Sequence, residues 1–488
     1  MKAEGFICNG RLDINRIVSE YRDRPALVQL GKNTVCYTFE DFARLAGVLR
    51  ARFRDMGILP GSRVAIHMEN SPLHFLVFFL SWTDDFLFTP LNHQMPLAPA
   101  LEESSPDVVI CHETPPNTGA IKDRPLFISA GELLPDVAAG KECSLDFPEV
   151  DLDQECSLVF TSGSSGRPKG VVHTIGNHVY SAAGVISFFG VSAEDRWLVS
   201  LPINHVGGLS IFGRTFLSGA AAVFPESRHA LEKAVLENEA GFISVVATQL
   251  IRLMKRTDTI DALSIMRGIL LGGSSIPEWV IDKALDFSLP VISSYGSTES
   301  CSLVTAVPPG SDRKTHKTAG KLLPHRKLAT SADGRILLGG KTRFAYYLVG
   351  NDRIFPFDSG WFATSDLGQT DADDNWIIKG RIDEIFISGG ENINPFEIEK
   401  ALMSVTGIET ALVVPAPHME FGLVPWAFVS APAGMMPADI SSLLRKTLPP
   451  FKIPKKILFI SPDEKSAGIK ADRAFYKQKA MDMAGGQS

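Results

Sequence analysis

Between two strand-like runs, Ser157-Leu-Val-Phe160 and Val171-Val-His173, lies the segment Thr161-Ser-Gly-Ser-Ser-Gly-Arg-Pro-Lys-Gly170. Its residue types suit phosphate oxygens. Gly163 and Gly166 let backbone N–H groups approach, Thr161, Ser162, Ser164 and Ser165 offer hydroxyls, and Lys169 supplies charge. The order differs from the Walker A loop, because Lys169 is followed by a glycine and no Ser/Thr comes after it. The context differs too, with a strand signal on both sides. On composition alone, a flexible Gly/Ser turn is the alternative.

The elements that must hold such a loop read as α/β. Arg63-Val-Ala-Ile-His67, Pro106–Cys111, Gly241–Val246 and Gly268–Leu271 are short β-branched runs, and helix-like segments begin near Pro72, Thr248 and Pro277. This alternation predicts parallel α/β layers. The apolar run Leu73–Trp82 is too short for a membrane span, which needs about 20 apolar residues, and reads as a buried helix. Beyond Gly380 the pattern becomes α+β. Helices are expected over Glu397–Met403 and Ile440–Leu448, and strands over Glu409–Val414, Trp426–Val429 and Lys455–Ile460. A boundary in Gly380-Arg-Ile-Asp-Glu384 divides residues 1–381 from a smaller module, 382–488.

Composition narrows the classes of function. The 488 residues exceed what one core usually supports. With 45% hydrophobic and 21% charged residues, the chain has the profile of a globular protein. A net charge of -7 gives no general attraction to nucleic acid or to anionic membrane, so a bound anion must meet local donors. The six cysteines form no CxxC pair, which argues against a zinc or redox motif and for reduced thiols in a cytoplasmic setting. The amino terminus does not read as a signal peptide.

The loop, taken with Gly272-Gly-Ser-Ser275, Ser294-Tyr-Gly-Ser-Thr-Glu299, Thr364-Ser-Asp366, Gly380-Arg-Ile-Asp-Glu384, Gly389-Gly-Glu-Asn-Ile393 and Gly468-Ile-Lys-Ala-Asp-Arg473, resembles the adenylate-forming superfamily of acyl-CoA synthetases, luciferases and peptide-synthetase adenylation domains. The resemblance spans nearly the whole chain, with the motifs in family order. It implies a large N-terminal α/β assembly and a small mobile α+β C-terminal domain. It also implies ATP, Mg²⁺ and CoA as reactants or cofactor, and a small-molecule carboxylic acid as substrate, joined to the α-phosphate and then to a thiol. A carboxylate attacking a phosphate requires fixed positive charge. By resemblance Lys470 supplies it, although Ile469 interrupts the usual Gly-Lys pair and a surface lysine is the plainer reading of a residue so near the terminus.

The same resemblance makes Glu299 the Mg²⁺ carboxylate and Thr298 an α-phosphate contact. It has Tyr295, with Gly296 and Ser297 in its motif, stack on adenine, with an ordinary core aromatic as the alternative for Tyr295. Gly273 and Ser274 would wall the adenine pocket, and Asp366 would accept from both ribose hydroxyls. Arg381 would approach ribose or phosphates, against an inter-domain ion pair. Asp383 falls at the hinge position, and Gly389 and Gly390 at the thiol tunnel. Phe386 departs from the pattern, since the family often carries a lysine there.

Pro202-Ile-Asn-His-Val-Gly-Gly208 falls at the family's acyl-pocket entrance, so His205 is either a gate and substrate contact or a structural histidine. The strings Leu201–Leu209, Ala247–Leu250, Leu270–Pro277, Ser388–Pro395 and Gly468–Lys470 resemble o-succinylbenzoate–CoA ligases of menaquinone biosynthesis. That acid has a second carboxylate to recognise. Arg214, in an otherwise apolar or small run, is the candidate, with pairing to a nearby acid as the alternative. Arg252 is a weaker one. Other aryl or fatty acids would keep every ATP residue. An amino-acid-adenylating domain and a silent nucleotide-binding scaffold are the more distant readings. Self-association into a homo-oligomer is left open.

Overall fold

The computed structural model describes residues 3–113, 125–133, 145–161, 169–237, 241–273, 276–432, 434–460 and 473–485. Two large sheets enclose a layer of helices. One has eight strands and the other nine. In the nine-stranded sheet, strands Pro25–Gln29, Arg196–Leu198, Ala221–Phe224, Phe242–Val245, Gly268–Leu271 and Val291–Ser297 run parallel to one another, and antiparallel strands flank them on both sides. Their side chains alternate between faces, as the two-residue period of a strand requires. Trp197, Ala222 and Phe242 enter the central core, while Leu198, Val223 and Ile243 pack on outer helices such as Glu278–Asp286.

The helix Pro72–Thr83 confirms the expectation for Leu73–Trp82. It is apolar on every side and accordingly buried on every side. Phe78 and Trp82 meet Phe212 of the helix Val206–Ser218 edge-to-face, at 5.4 and 5.3 Å between centroids. No described helix is long and apolar enough to cross a membrane.

The expectation of parallel layers covers only part of the large assembly. The strands around the phosphate segment are antiparallel: Glu155–Thr161 pairs with Lys169–Thr174, which pairs with Tyr346–Val349. A further antiparallel sheet, built from Arg326–Thr330, Arg335–Gly340, Phe357–Asp358, Trp361–Thr370 and Trp376–Arg381, follows them. It carries Asp366 and Arg381, and the sequence pattern did not separate it from the α/β layers.

The last five-stranded sheet begins at Phe386–Ser388. Its central hairpin, Thr410–His418 with Gly422–Ser430, is longer than expected. Prolines made the runs look interrupted, but Pro415 and Pro425 face each other in register, so the missing N–H groups coincide. The helix expected over Ile440–Leu448 is Pro437–Leu444, starting earlier on a proline at its first turn. Helices Pro395–Met403 and Pro437–Leu444 cover one face of this sheet, and Arg473–Gly485 covers the other.

Candidate active site

Tyr295 ends the regular part of strand Val291–Ser297, where the register with Ser302–Ala306 shifts between Tyr295 and Gly296. A short 3-10 turn, Thr298–Ser300, follows, closed by Ser297 N–H donating to Ser300 Oγ at 2.9 Å. Cys301 and Ser302 then adopt left-handed φ of 52° and 93°. Two consecutive non-glycine residues in that region are strained, and such strain collects at functional sites.

The Tyr295 hydroxyl donates to Asp366 Oδ2 at 2.7 Å. Asp366 and Arg381 are cross-strand partners, and Arg381 Nη1 donates to Asp366 Oδ1 at 3.1 Å. The other side of the guanidinium forks onto Asp383, at 3.0 and 2.9 Å. Burial opposes the Arg381 charge, yet Asp383 and Asp366 hold its pKa above the ordinary value. Burial and the Asp366 carboxylate push the Tyr295 phenol well up, so it stays a donor. Four expected residues, Tyr295, Asp366, Arg381 and Asp383, therefore form one network. Each Asp366 oxygen accepts one bond there and keeps a lone pair for a ligand hydroxyl.

The described residues expected to meet phosphate, Thr161 and Lys169, are carried by the eight-stranded sheet. Thr161 and Lys169 face each other across the ladder at the base of the loop. Lys169 Nζ stands over the Tyr347 ring, 5.3 Å from its centroid, and the Tyr347 hydroxyl donates to Glu299 Oε1 at 2.8 Å. Behind Thr298, His173 Nε2 lies 2.7 Å from the Thr298 carbonyl oxygen, and Ser157 Oγ lies 2.8 Å from His178 Nε2. Burial lowers the His173 pKa to about 4, so the ring is neutral and donates to that carbonyl. Ser162, Gly163, Ser164, Ser165, Gly166, Ser274 and Lys470 lie outside the described residues. Gly273 has a φ of +85°.

The donor set suits Mg²⁺. Glu299 offers a hard carboxylate oxygen, and among the described residues no group of three His, Cys, Asp or Glu could cage a metal. One carboxylate plus phosphate oxygens and water is how Mg²⁺ is commonly held.

Of the residues expected to meet the acid, His205 is exposed and sits at the N-cap position of the helix Val206–Ser218. Its turn is held by Asn70, whose Nδ2 donates to Leu201 O at 2.8 Å and whose Oδ1 accepts from Ile203 N at 2.9 Å. Arg214, on that helix, is fully buried. Its Nη2 donates to Ser302 Oγ at 2.9 Å and its Cζ lies 4.9 Å from the Trp197 ring centroid. The alternative of pairing to a nearby acid finds no carboxylate among the described residues, and Nε has no hydrogen-bond partner there. Arg252 instead pairs with Glu232 at 2.8 Å on the surface.

In the small module, Gly389 and Gly390 connect Phe386–Ser388 to Glu391–Ile393 with φ of 57° and 91°. Phe386 is core there, packed with Ile393 and Ile398, which gives this departure from the family pattern a packing role. At the junction, Gly380 has φ +112°, and an added Cβ would lie 2.7 Å from Phe396 Cβ. Only glycine lets the helix Pro395–Met403 approach so closely. Asn394 Nδ2 donating to Lys379 O at 2.8 Å and the Lys400–Glu278 pair at 2.9 Å complete the contact.

Residues 14–335 match the AMP-binding enzyme family, and residues 397–468 match the AMP-binding enzyme C-terminal domain. The chain belongs to the AMP-binding enzyme family. Among relatives of this AMP-binding enzyme is the 2-succinylbenzoate–CoA ligase of Enterococcus faecalis, 30% identical over 91% of this chain and 94% of the relative. A variant of E. coli MenE with bound OSB-AMS is 25% identical, with a TM-score of 0.81 over 98% of this chain and all of that one (100%). The o-succinylbenzoate coenzyme A synthetase of Bacillus subtilis in complex with ATP and magnesium ion is also 25% identical, with a TM-score of 0.76 over 92% of this chain and 95% of that one. Tyr347 and Asn70 were not found by reading the AMP-binding enzyme's sequence. Tyr347 belongs to no recognised motif, and only the pairing of Val171 with Tyr347 brings it under Lys169. Asn70 precedes the buried helix and looks like an ordinary helix-start residue.

Proposed function

We propose that this chain is an ATP-dependent acid–CoA ligase. It forms an acyl adenylate and then an acyl-CoA thioester, with o-succinylbenzoate as the acid, in menaquinone biosynthesis. The observation that carries the choice of a dicarboxylic acid is Arg214, a buried cation with no carboxylate partner among the described residues. Burying a charge unpaired is costly, and a ligand carboxylate, direct or through water, would offset that cost.

In this reading Asp366 holds the ribose, Tyr295 and Gly273 border the adenine, and the loop from Thr161 holds the phosphates with Lys169. Mg²⁺, when bound at Glu299, neutralises phosphate charge and stabilises the charge that develops as pyrophosphate leaves. Lys470 bridges carboxylate and α-phosphate oxygens, and Thr298 contacts the α-phosphate. Residues 1–381 bind ATP and acid. Residues 382–488 bring Lys470 and then, hinged at Asp383, the Gly389–Gly390 segment that lines the thiol path. The free thiols Cys8, Cys36, Cys111, Cys156 and Cys301 accord with the cytoplasmic location proposed for it. Self-association is read by light scattering.

Incubation with o-succinylbenzoate, ATP, Mg²⁺ and CoA should yield AMP and a thioester; turnover of other acids only would defeat the specific reading. Lys470→Ala should abolish adenylation and spare thioester formation from supplied acyl adenylate. Equal loss of both steps would contradict the role given to Lys470.

A further inference from the structure

We propose that Tyr347 is a positioning residue for the adenylation step, keeping Lys169 and Glu299 apart while orienting both. The inference rests on the reading of Lys169 as a phosphate contact and Glu299 as the Mg²⁺ carboxylate. A lysine beside a half-buried carboxylate ordinarily closes onto it as an ion pair, leaving less of either charge for a ligand. Here the Tyr347 ring takes the ammonium on its face and the hydroxyl takes Glu299 Oε1. No Lys169–Glu299 pair forms among the described residues. Lys169 keeps its donors because a cation–π contact uses the charge without a hydrogen-bond acceptor. Glu299 keeps Oε2 and further lone pairs, and a donor on one oxygen fixes which way the other faces, as outer-shell partners do at metal sites.

The surroundings make Tyr347 rigid enough for this. Its ring lies 4.6 Å from Phe344 and 6.0 Å from Phe362, centroid to centroid. Its strand is locked to the hairpin of Thr161 and Lys169 by the Val171–Tyr347 register, and Phe344 N–H donates to the Glu299 carbonyl oxygen at 2.9 Å. The same short segment therefore grips the Glu299 backbone and its side chain.

Tyr347→Phe keeps the ring and its packing and removes only the bond to Glu299. A hydrogen bond to a charged group is worth about 1.5–3 kcal/mol, or about tenfold or more. The Mg²⁺ concentration for half-maximal adenylation, and the calorimetric affinity for MgATP, should both worsen by about tenfold. Thioester formation from supplied acyl adenylate should be unchanged. Tyr347→Leu removes the cation–π face as well, and should weaken inorganic pyrophosphate binding where Tyr347→Phe does not. Wild-type Mg²⁺ dependence and MgATP affinity in Tyr347→Phe would overturn the proposal. Glu299→Gln separates the two layers. If it too leaves Mg²⁺ dependence unchanged, the Glu299 reading fails; if it alone shifts that dependence, only the role of Tyr347 falls.

Discussion

Arg214, on the helix Val206–Ser218, and Arg326, on the strand Arg326–Thr330, are both buried close to Cys301 and are chemically alike. Burial pushes each guanidinium down, to about 9. Their partners differ. Arg326 gives every nitrogen to the protein: Nε to Leu303 O at 2.9 Å, Nη1 to Pro324 O at 2.7 Å, and Nη2 to Ser181 O at 2.9 Å and Ser181 Oγ at 3.2 Å. Arg214 gives one nitrogen to the Ser302 hydroxyl, rests on Trp197, and leaves Nε unpartnered among the described residues. A buried charge that is fully bonded knits the fold, whereas one left partly unbonded suits the ligand contact proposed for Arg214. On the proposed reading, that difference separates structure from specificity where residue type and burial do not.

The largest effect expected is on stability. Arg326→Met strips several buried acceptors at once and should cost about 3 kcal/mol or more, since each orphaned buried group costs roughly 1–3 kcal/mol. Heat unfolding would show it, while the KM for the acid of the folded fraction stays put; a raised acid KM would blur the contrast. Arg214→Met should do the reverse. The KM for o-succinylbenzoate should rise about 10–100-fold, the span of one charge-assisted contact, with the KM for ATP unchanged. Its unfolding temperature should hold or rise, because a poorly compensated buried cation is replaced by an apolar chain of similar length. An acid lacking the benzoate carboxylate should lose little, and an equal loss for both acids would return Arg214 to structure.

Gly184→Ala probes the Arg326 side more gently. An added Cβ would meet Arg326 Nη1 and lie 2.7 Å from Pro324 O, so overpacking of about 1–3 kcal/mol is expected, with acid binding intact. The smallest effect should come from Ser302→Ala. It removes the hydroxyl that accepts from Arg214 Nη2 and should raise the acid KM only a few-fold, measured beside an unchanged KM for ATP. A loss as large as that of Arg214→Met would make Ser302 itself a contact.

Much of the scaffold was legible because it follows local rules. The buried helix at Pro72–Thr83, the strand on each side of the phosphate segment and the α+β change after Gly380 were all visible as periodicity and turn chemistry. The antiparallel sheet that carries Asp366 was not, because short strands joined by tight turns resemble the edges of α/β units. The length of the Thr410–His418 hairpin was hidden by prolines that only their cross-strand register explains.

The sequence by itself determined the family, through residue types held in a fixed order: Thr161 to Gly170, Tyr295, Glu299, Asp366 and Arg381. It also singled out Arg214 as a charge in apolar company, but left its partner open. Tertiary structure decided that Arg252 belongs to Glu232, that Arg214 has no acid beside it among the described residues, and that Tyr347 stands between Lys169 and Glu299. The reason is physical. A motif records what lies near in the chain, whereas the partner of a buried charge is set by strand register and helix packing, which bring residues far apart in sequence within hydrogen-bond reach.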